Sequence, residues 1–297
     1  MRPRPGPDLE YLSGLALHLR RGMGERPGDR RFPGRPEPAG IELEAYGAYA
    51  PGDDLRHLDW NAFGRLDALL VRRFTAEREV VVHILLDASA SMTVPARDDK
   101  LGVAKELALA LAHVALSAND AVRLAVLAGE ATRVSPVLRQ RARIPRVREL
   151  LEGADARGAL AFGEVLESYA RRHPAPGLAI VVSDLMMDPA WVERGLHALR
   201  ARRYEVLLVH VLGRGELEPE REFSRGLLRD VESGATRPVV LTSAILERYR
   251  DVLAQHLRAL EALAERTRSV YARLVSDASV AEFLTVELPR LGVIRRR

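Results

Sequence analysis

Three oxygen-bearing side chains stand at alternate positions where an apolar run stops: Asp87, Ser89 and Ser91 in HILLDASASM, residues 83–92. Alternate residues in a loop leaving a strand can point the same way, so a carboxylate and two hydroxyls can converge on one point. That is a hard-oxygen donor set, suited to a Mg²⁺ ion that keeps several waters and an open coordination position for a partner's carboxylate. A second apolar run, LAIVVSD at 178–184, also ends in an aspartate, and Asp184 is the candidate second carboxylate, directly or through water. The same residue types cap helices and close turns by accepting backbone N–H bonds, so a capped loop without an ion stays open at this point.

Several other chemistries lack their residues. There is no G-x-x-x-x-G-K-[ST] phosphate loop, no G-x-G-x-x-G after a strand and no G-x-S-x-G nucleophile turn. An aspartyl-phosphate enzyme favours a second carboxylate two residues after the first, and Ser89 stands there. With no cysteine, the chain has no thiolate metal site, disulfide or cysteine nucleophile. The eight histidines are dispersed, and His83, inside an apolar run, reads as a core residue.

Composition sets the wider frame. A hydrophobic content of 47% with 29% charged residues is that of a packed globular protein. Net charge is only +4, and every basic residue except Lys100 and Lys105 is arginine; so small an excess argues against nucleic acid as a partner. The longest strongly apolar helical stretch, LALALAHVAL at 107–116, is too short to span a bilayer, and MRPRPGPDLE has no apolar segment behind its basic start. A soluble, cytoplasmic protein without membrane insertion is expected.

These candidate residues must be positioned by strands and helices that the pattern partly reveals. Residues 1–40 form a flexible proline- and arginine-rich segment with a short helix at LEYLSGLALHL, 9–19. Residues 41–79 form a small β-rich module, with IELEAY alternating and LLVRRF strand-like. Within 80–240, apolar runs at 80–87, 122–129, 178–184 and 204–212 alternate with helical patterns, which predicts an α/β domain: a doubly wound, mostly parallel sheet with helices on both faces. VVLT at 239–242 is a candidate edge strand, and 241–297 are expected to be C-terminal helices, a long one over 243–271 and a shorter one near 278–288. Ligands of such sheets bind outside the carboxyl ends of the strands, where Asp87 and Asp184 fall.

D-x-S-x-S followed by Met92, with a later S-D after a strand, resembles the metal-ion-dependent adhesion site of von Willebrand factor type A domains. Upstream, YAPGDDLRHLDWNAFGRLDALLVRRFTAERE at 49–79 resembles the signature of the bacterial family called domain of unknown function 58, in which G-D-D-x-R-x-I-D-W precedes a type A-like domain. LLRDVESGA at 227–235 matches that family's C-terminal pattern, so the resemblance spans roughly 40–290. It implies Mg²⁺ on Asp87, Ser89, Ser91 and Asp184. It also implies a non-enzymatic interaction module or adaptor working with a MoxR-type AAA+ ATPase. Two departures stand out: the usual threonine ligand falls at Leu160, which offers no oxygen, although Asp155 is near in sequence, and Gly47 replaces an arginine before the signature turn. Gly52, Asp53, Asp54, Arg56, Asp59 and Trp60 form the signature itself, read as a paired structural turn or as a partner-docking surface. The rival functions are a Mg²⁺-dependent phosphate-ester hydrolase using Asp87 and Asp184, and a metal-free structural scaffold.

Overall fold

The computed structural model describes residues 9–18, 41–50, 55, 58–76, 81–129, 131–221, 224–232 and 234–297. Packing divides the chain into two units, Gly24–Glu79 and a larger one of Met1–Met23 with Val80–Arg297. In chain order the larger unit begins with helix α1 (Leu9–Leu12) and strand β1 (Leu15–Leu17). The smaller unit holds β2 (Ile41–Ala48), α2 (Trp60–Leu66) and β3 (Leu70–Ala76), with β2 and β3 paired antiparallel.

The larger unit resumes with β4 (Val81–Asp87), α3 (Lys100–Ser117), β5 (Ala121–Ala128), β6 (Ala131–Val134), α4 (Ile144–Glu152) and α5 (Phe162–Arg172). It continues through β7 (Leu178–Ser183), α6 (Pro189–Ala201), β8 (Glu205–Leu212), α7 (Arg214–Leu217), β9 (Arg225–Arg229) and β10 (Thr236–Val240). After α8 (Ser243–Arg266) come β11 (Val270–Val275) and β12 (Ile294–Arg296). The central sheet has the order β11-β8-β7-β4-β5-β6, parallel throughout except for the edge strand β6. The chain moves from β4 outward to β5 and β6, then returns to the other side of β4 as β7. The strand order therefore reverses at β4, and the crevice where ligands bind lies at the carboxyl end of this strand.

Alternate residues of β4 feed opposite cores. Val82, Ile84 and Leu86 face a core built with α3, α4, α1, β1 and residues 280–294, while Leu85 faces a second core with α5, α6 and α8. Both sheet faces are covered, which is why these strands read as continuous apolar runs. Helix α3 is apolar nearly all round because it is buried on nearly all sides, from Val103 to Leu116. His83, also fully buried, donates or accepts through Nδ1 with the Tyr169 hydroxyl at 2.7 Å, and burial lowers its pKa to about 3, as befits a neutral core imidazole.

Three expectations need correction. The helix expected over 9–19 stops at Leu12, and Leu15–Leu17 instead pair with β12, so long-range strand pairing overrides the local helical spacing. The long helix expected to 271 ends at Arg266; Arg268 takes a left-handed backbone (φ 54°) and the chain returns as β11, parallel to β8. The C-terminal residues are thus part of the central sheet rather than helices alone. The candidate edge strand at 239–242 pairs instead with β9 in a separate exposed hairpin. Among the described residues no helix is long and apolar enough to cross a membrane.

Candidate functional site

Asp87 ends β4 with its side chain fully buried. Its Oδ1 accepts the Ser89 backbone N–H at 2.8 Å, an Asx turn that bends the chain out of the sheet. Its Oδ2 accepts the Ser183 hydroxyl at 2.5 Å from the end of β7, and the Ser183 oxygen in turn accepts the Leu185 N–H at 3.1 Å. Leu185 is buried in the left-handed region (φ 48°), a conformation that costs a branched residue energy and that these bonds hold in place. The Ser89 and Ser91 hydroxyls converge to 3.0 Å, as alternate residues should. Burial, reinforced by the nearby charge of Asp184, pushes the Asp87 carboxyl up to about 6.

Asp184 follows β7 and is equally buried, but it meets a cation from within the chain. Lys100 Nζ donates to Asp184 Oδ2 at 2.8 Å and to Glu216 Oε1 at 2.5 Å, with the lysine and aspartate side chains each 1% exposed. Burial alone would lower the ammonium's pKa; the two carboxylates outweigh it and raise it. Glu216 lies in α7, just after β8, where its Oε2 accepts the Gly213 N–H at 2.6 Å. Asp98, on the loop before α3, accepts the Gly215 N–H at 2.8 Å, and a Cβ on Gly213 would strike Asp98 Oδ2, so only glycine permits this approach. Lys100, Glu216, Ser183 and Asp98 are the site residues that sequence reasoning missed.

The structure therefore brings Asp87, Ser89, Ser91 and Asp184 to neighbouring strand ends, yet the set does not fit a Mg²⁺ ion joining the two carboxylates. Both Asp87 oxygens accept protein donors, and Asp184 is engaged by an ammonium. Leu160 packs into the second core instead of offering an oxygen, while Asp155 turns to Arg157 at 2.9 Å. Among the described residues no group of three or more histidines or carboxylates is arranged to hold a metal. Of the signature residues, Gly52, Asp53, Asp54 and Arg56 lie outside the described residues. Asp59 caps α2, its Oδ1 accepting the Asn61 and Ala62 N–H groups at 3.0 Å each, and Trp60 is exposed with its ring edge-on to Phe63.

Beside the strand-end loops opens a cavity of about 860 Å³, lined by Gly129, Leu160, Met187 and Trp191 among others. The 157–160 loop is stitched to the Asp87 loop by Ala90 N–H to the Gly158 carbonyl (2.9 Å) and Arg157 N–H to the Ala88 carbonyl (2.9 Å). Residues 45–262 match the family described as "Protein of unknown function DUF58". The chain belongs to this family. The DUF58 chain is 29% identical over 256 residues to the uncharacterized protein Rv1480 of Mycobacterium tuberculosis, covering 82% of this chain and 73% of that one. Among solved structures it is similar to the conserved hypothetical protein BatB from Bacteroides thetaiotaomicron, at 18% identity and a TM-score of 0.45 over 72% of this chain and 98% of that one. It is also similar to the SpRpn10 VWA domain, at 13% identity and a TM-score of 0.38 over 69% and 93%. The doubly wound, type A-like architecture rests on the strand order and on the position of the D-x-S-x-S loop at the switch point, not on these similarities.

Removing the Ser183 hydroxyl leaves Asp87 Oδ2 buried without its donor, so Ser183→Ala should lower stability by about 1–3 kcal/mol in urea unfolding while Ser183→Thr retains most of it. The raised Asp87 pKa sets a pH dependence. Below about pH 3.8, its ordinary value, folded and unfolded states both hold the proton; as pH rises through about 6 the folded state must ionise a buried carboxyl, and this group's contribution to stability is lost. The stability of the wild type relative to Asp87→Asn should therefore fall by about 3 kcal/mol across that window, and a difference independent of pH would contradict the assignment.

Proposed function

We propose that this chain is a non-enzymatic docking module that recruits a partner protein through the carboxyl end of its central sheet. The observation that carries this reading is the cavity lined by Leu160, Met187 and the half-exposed Trp191 together with charged side chains such as Glu164, Arg172 and Asp188, set beside a strand-end site whose buried charged groups are satisfied internally. An exposed tryptophan at the lip of a cavity is the kind of anchor on which interface energy concentrates. Met186, after β7, and Val94, after β4, add exposed apolar surface at the same end of the sheet. Asp87 and Asp184, the residues a hydrolase would need, are buried and committed to internal donors, which favours binding over turnover.

The resemblance to DUF58 sequences makes a MoxR-type AAA+ ATPase the first partner to test. Titration of purified full-length protein with such an ATPase from the same genome should show saturable binding. Trp191→Ala should weaken it by at least about thirtyfold, the scale of an interface hot spot. Binding of the variant at wild-type strength would remove the strand-end face from the account. Binding to neither protein would remove the ATPase.

A further inference from the structure

Lys100 stands where two physical effects oppose it. It is the first residue of α3, so its positive charge sits at the helix end that favours anions. It is also buried, and a buried charge is tolerated only when paired and hydrogen-bonded. In a chain whose other basic residues, Lys105 apart, are all arginine, this position keeps a lysine. A compact ammonium with three rotatable donors can sit between two carboxylates arriving from different directions, which a planar guanidinium fork does less readily.

Those carboxylates arrive from two further strand ends. Asp184 follows β7 and Glu216 follows β8, while Lys100 begins the helix that follows β4. One ammonium thus joins three connections at the carboxyl end of the sheet. Around it the site is closed: the Tyr249 hydroxyl donates to the Glu216 carbonyl at 2.7 Å, and His256 Nε2 lies 2.9 Å from the Leu185 carbonyl, both from α8. Joining neighbouring strand-end loops through a cation that binds carboxylate oxygen is the work a divalent ion does when oxygen ligands from several loops share it.

We infer that Lys100 is the resident cation of this site, its ammonium holding Asp184 and Glu216 in the place of a divalent ion, so that the strand-end face is organised without metal. An ion bound directly to Asp184 would stand a few ångströms from Nζ, and the like charges would repel. The misfit of the oxygen set then has a single cause: with the charge supplied from α3, Leu160 is free to line the cavity rather than supply an oxygen. This inference does not rest on the docking reading, because its test uses no partner.

The experiment is Mn²⁺ binding to the full chain, followed by electron paramagnetic resonance of the free ion. Wild type and Lys100→Met are compared with Lys100→Met/Glu216→Gln, which removes one charge of each sign and keeps the site's charge balance if the single variant does not fold. Wild type should bind no Mn²⁺ at millimolar concentration. Folded Lys100→Met should bind about a hundredfold more tightly or better, the effect of removing a unit charge a few ångströms from a divalent ion, and should lose that gain with Asp87→Asn; in the double variant the lost carboxylate offsets part of this, and a gain of about tenfold is expected. Submillimolar binding by wild type, abolished by Asp87→Asn, would overturn the inference. So would failure of the folded lysine-free variants to gain binding, because the ammonium would then not be what occupies the cation's place.

Discussion

An ammonium buried with its aspartate partner at 1% exposure must be matched by charge and hydrogen bonds at once, and Lys100 meets both needs through Asp184 and Glu216. Replacing such a group by apolar residues is often tolerated, whereas removing one member alone is costly, because the others are left buried and uncompensated. The three residues come from the connections after β4, β7 and β8. Register in a parallel sheet is set within each strand pair, but the paths of the loops beyond the strand ends are not. The ion triad fixes those paths, and with them the Asp87–Ser183 bond and the left-handed Leu185.

From that constraint follows the division of the strand-end surface. The buried charged groups after β4, β7 and β8 are satisfied by one another, by Ser183 and by backbone N–H groups. Exposed remain the apolar Met186 and Trp191, next to a cavity lined by Leu160 and by charged side chains such as Glu164, Arg172 and Asp188. A surface of this kind binds by shape and apolar contact, with polar groups at its margin. An open metal site would instead bind through one strong ligand bond. The two modes differ in how they respond to chelators, to salt and to the loss of a single aromatic side chain.

Much of this is legible in the sequence. Apolar runs ending in Asp87 and Asp184 located two neighbouring strand ends, and the alternation of strands and helices gave the doubly wound sheet. Lys100 was not legible as a site residue, because its partners lie 84 and 116 residues away and no local pattern links them. A signal was nonetheless present: a lysine in an arginine-dominated chain, placed where a helix start disfavours positive charge. β11 was hidden for another reason. The turn before it uses Arg268 in the left-handed region, where glycine is the usual marker, so the helical pattern in the sequence runs on past Arg266. The N-terminal stretch showed the reverse error, since its helical spacing belongs partly to a strand whose partner, β12, lies at the far end of the chain.

The order of the strand-end face depends on where the cation of this site comes from. A crystal structure of the wild-type protein grown with Mn²⁺, with anomalous data collected at the metal's absorption edge, places that cation by observation. With Lys100 as the resident cation, its Nζ lies in contact with both Asp184 and Glu216 and no anomalous peak stands at the strand ends. An anomalous peak on Asp87, Ser89 and Ser91, with Lys100 turned away from Asp184, would contradict that assignment.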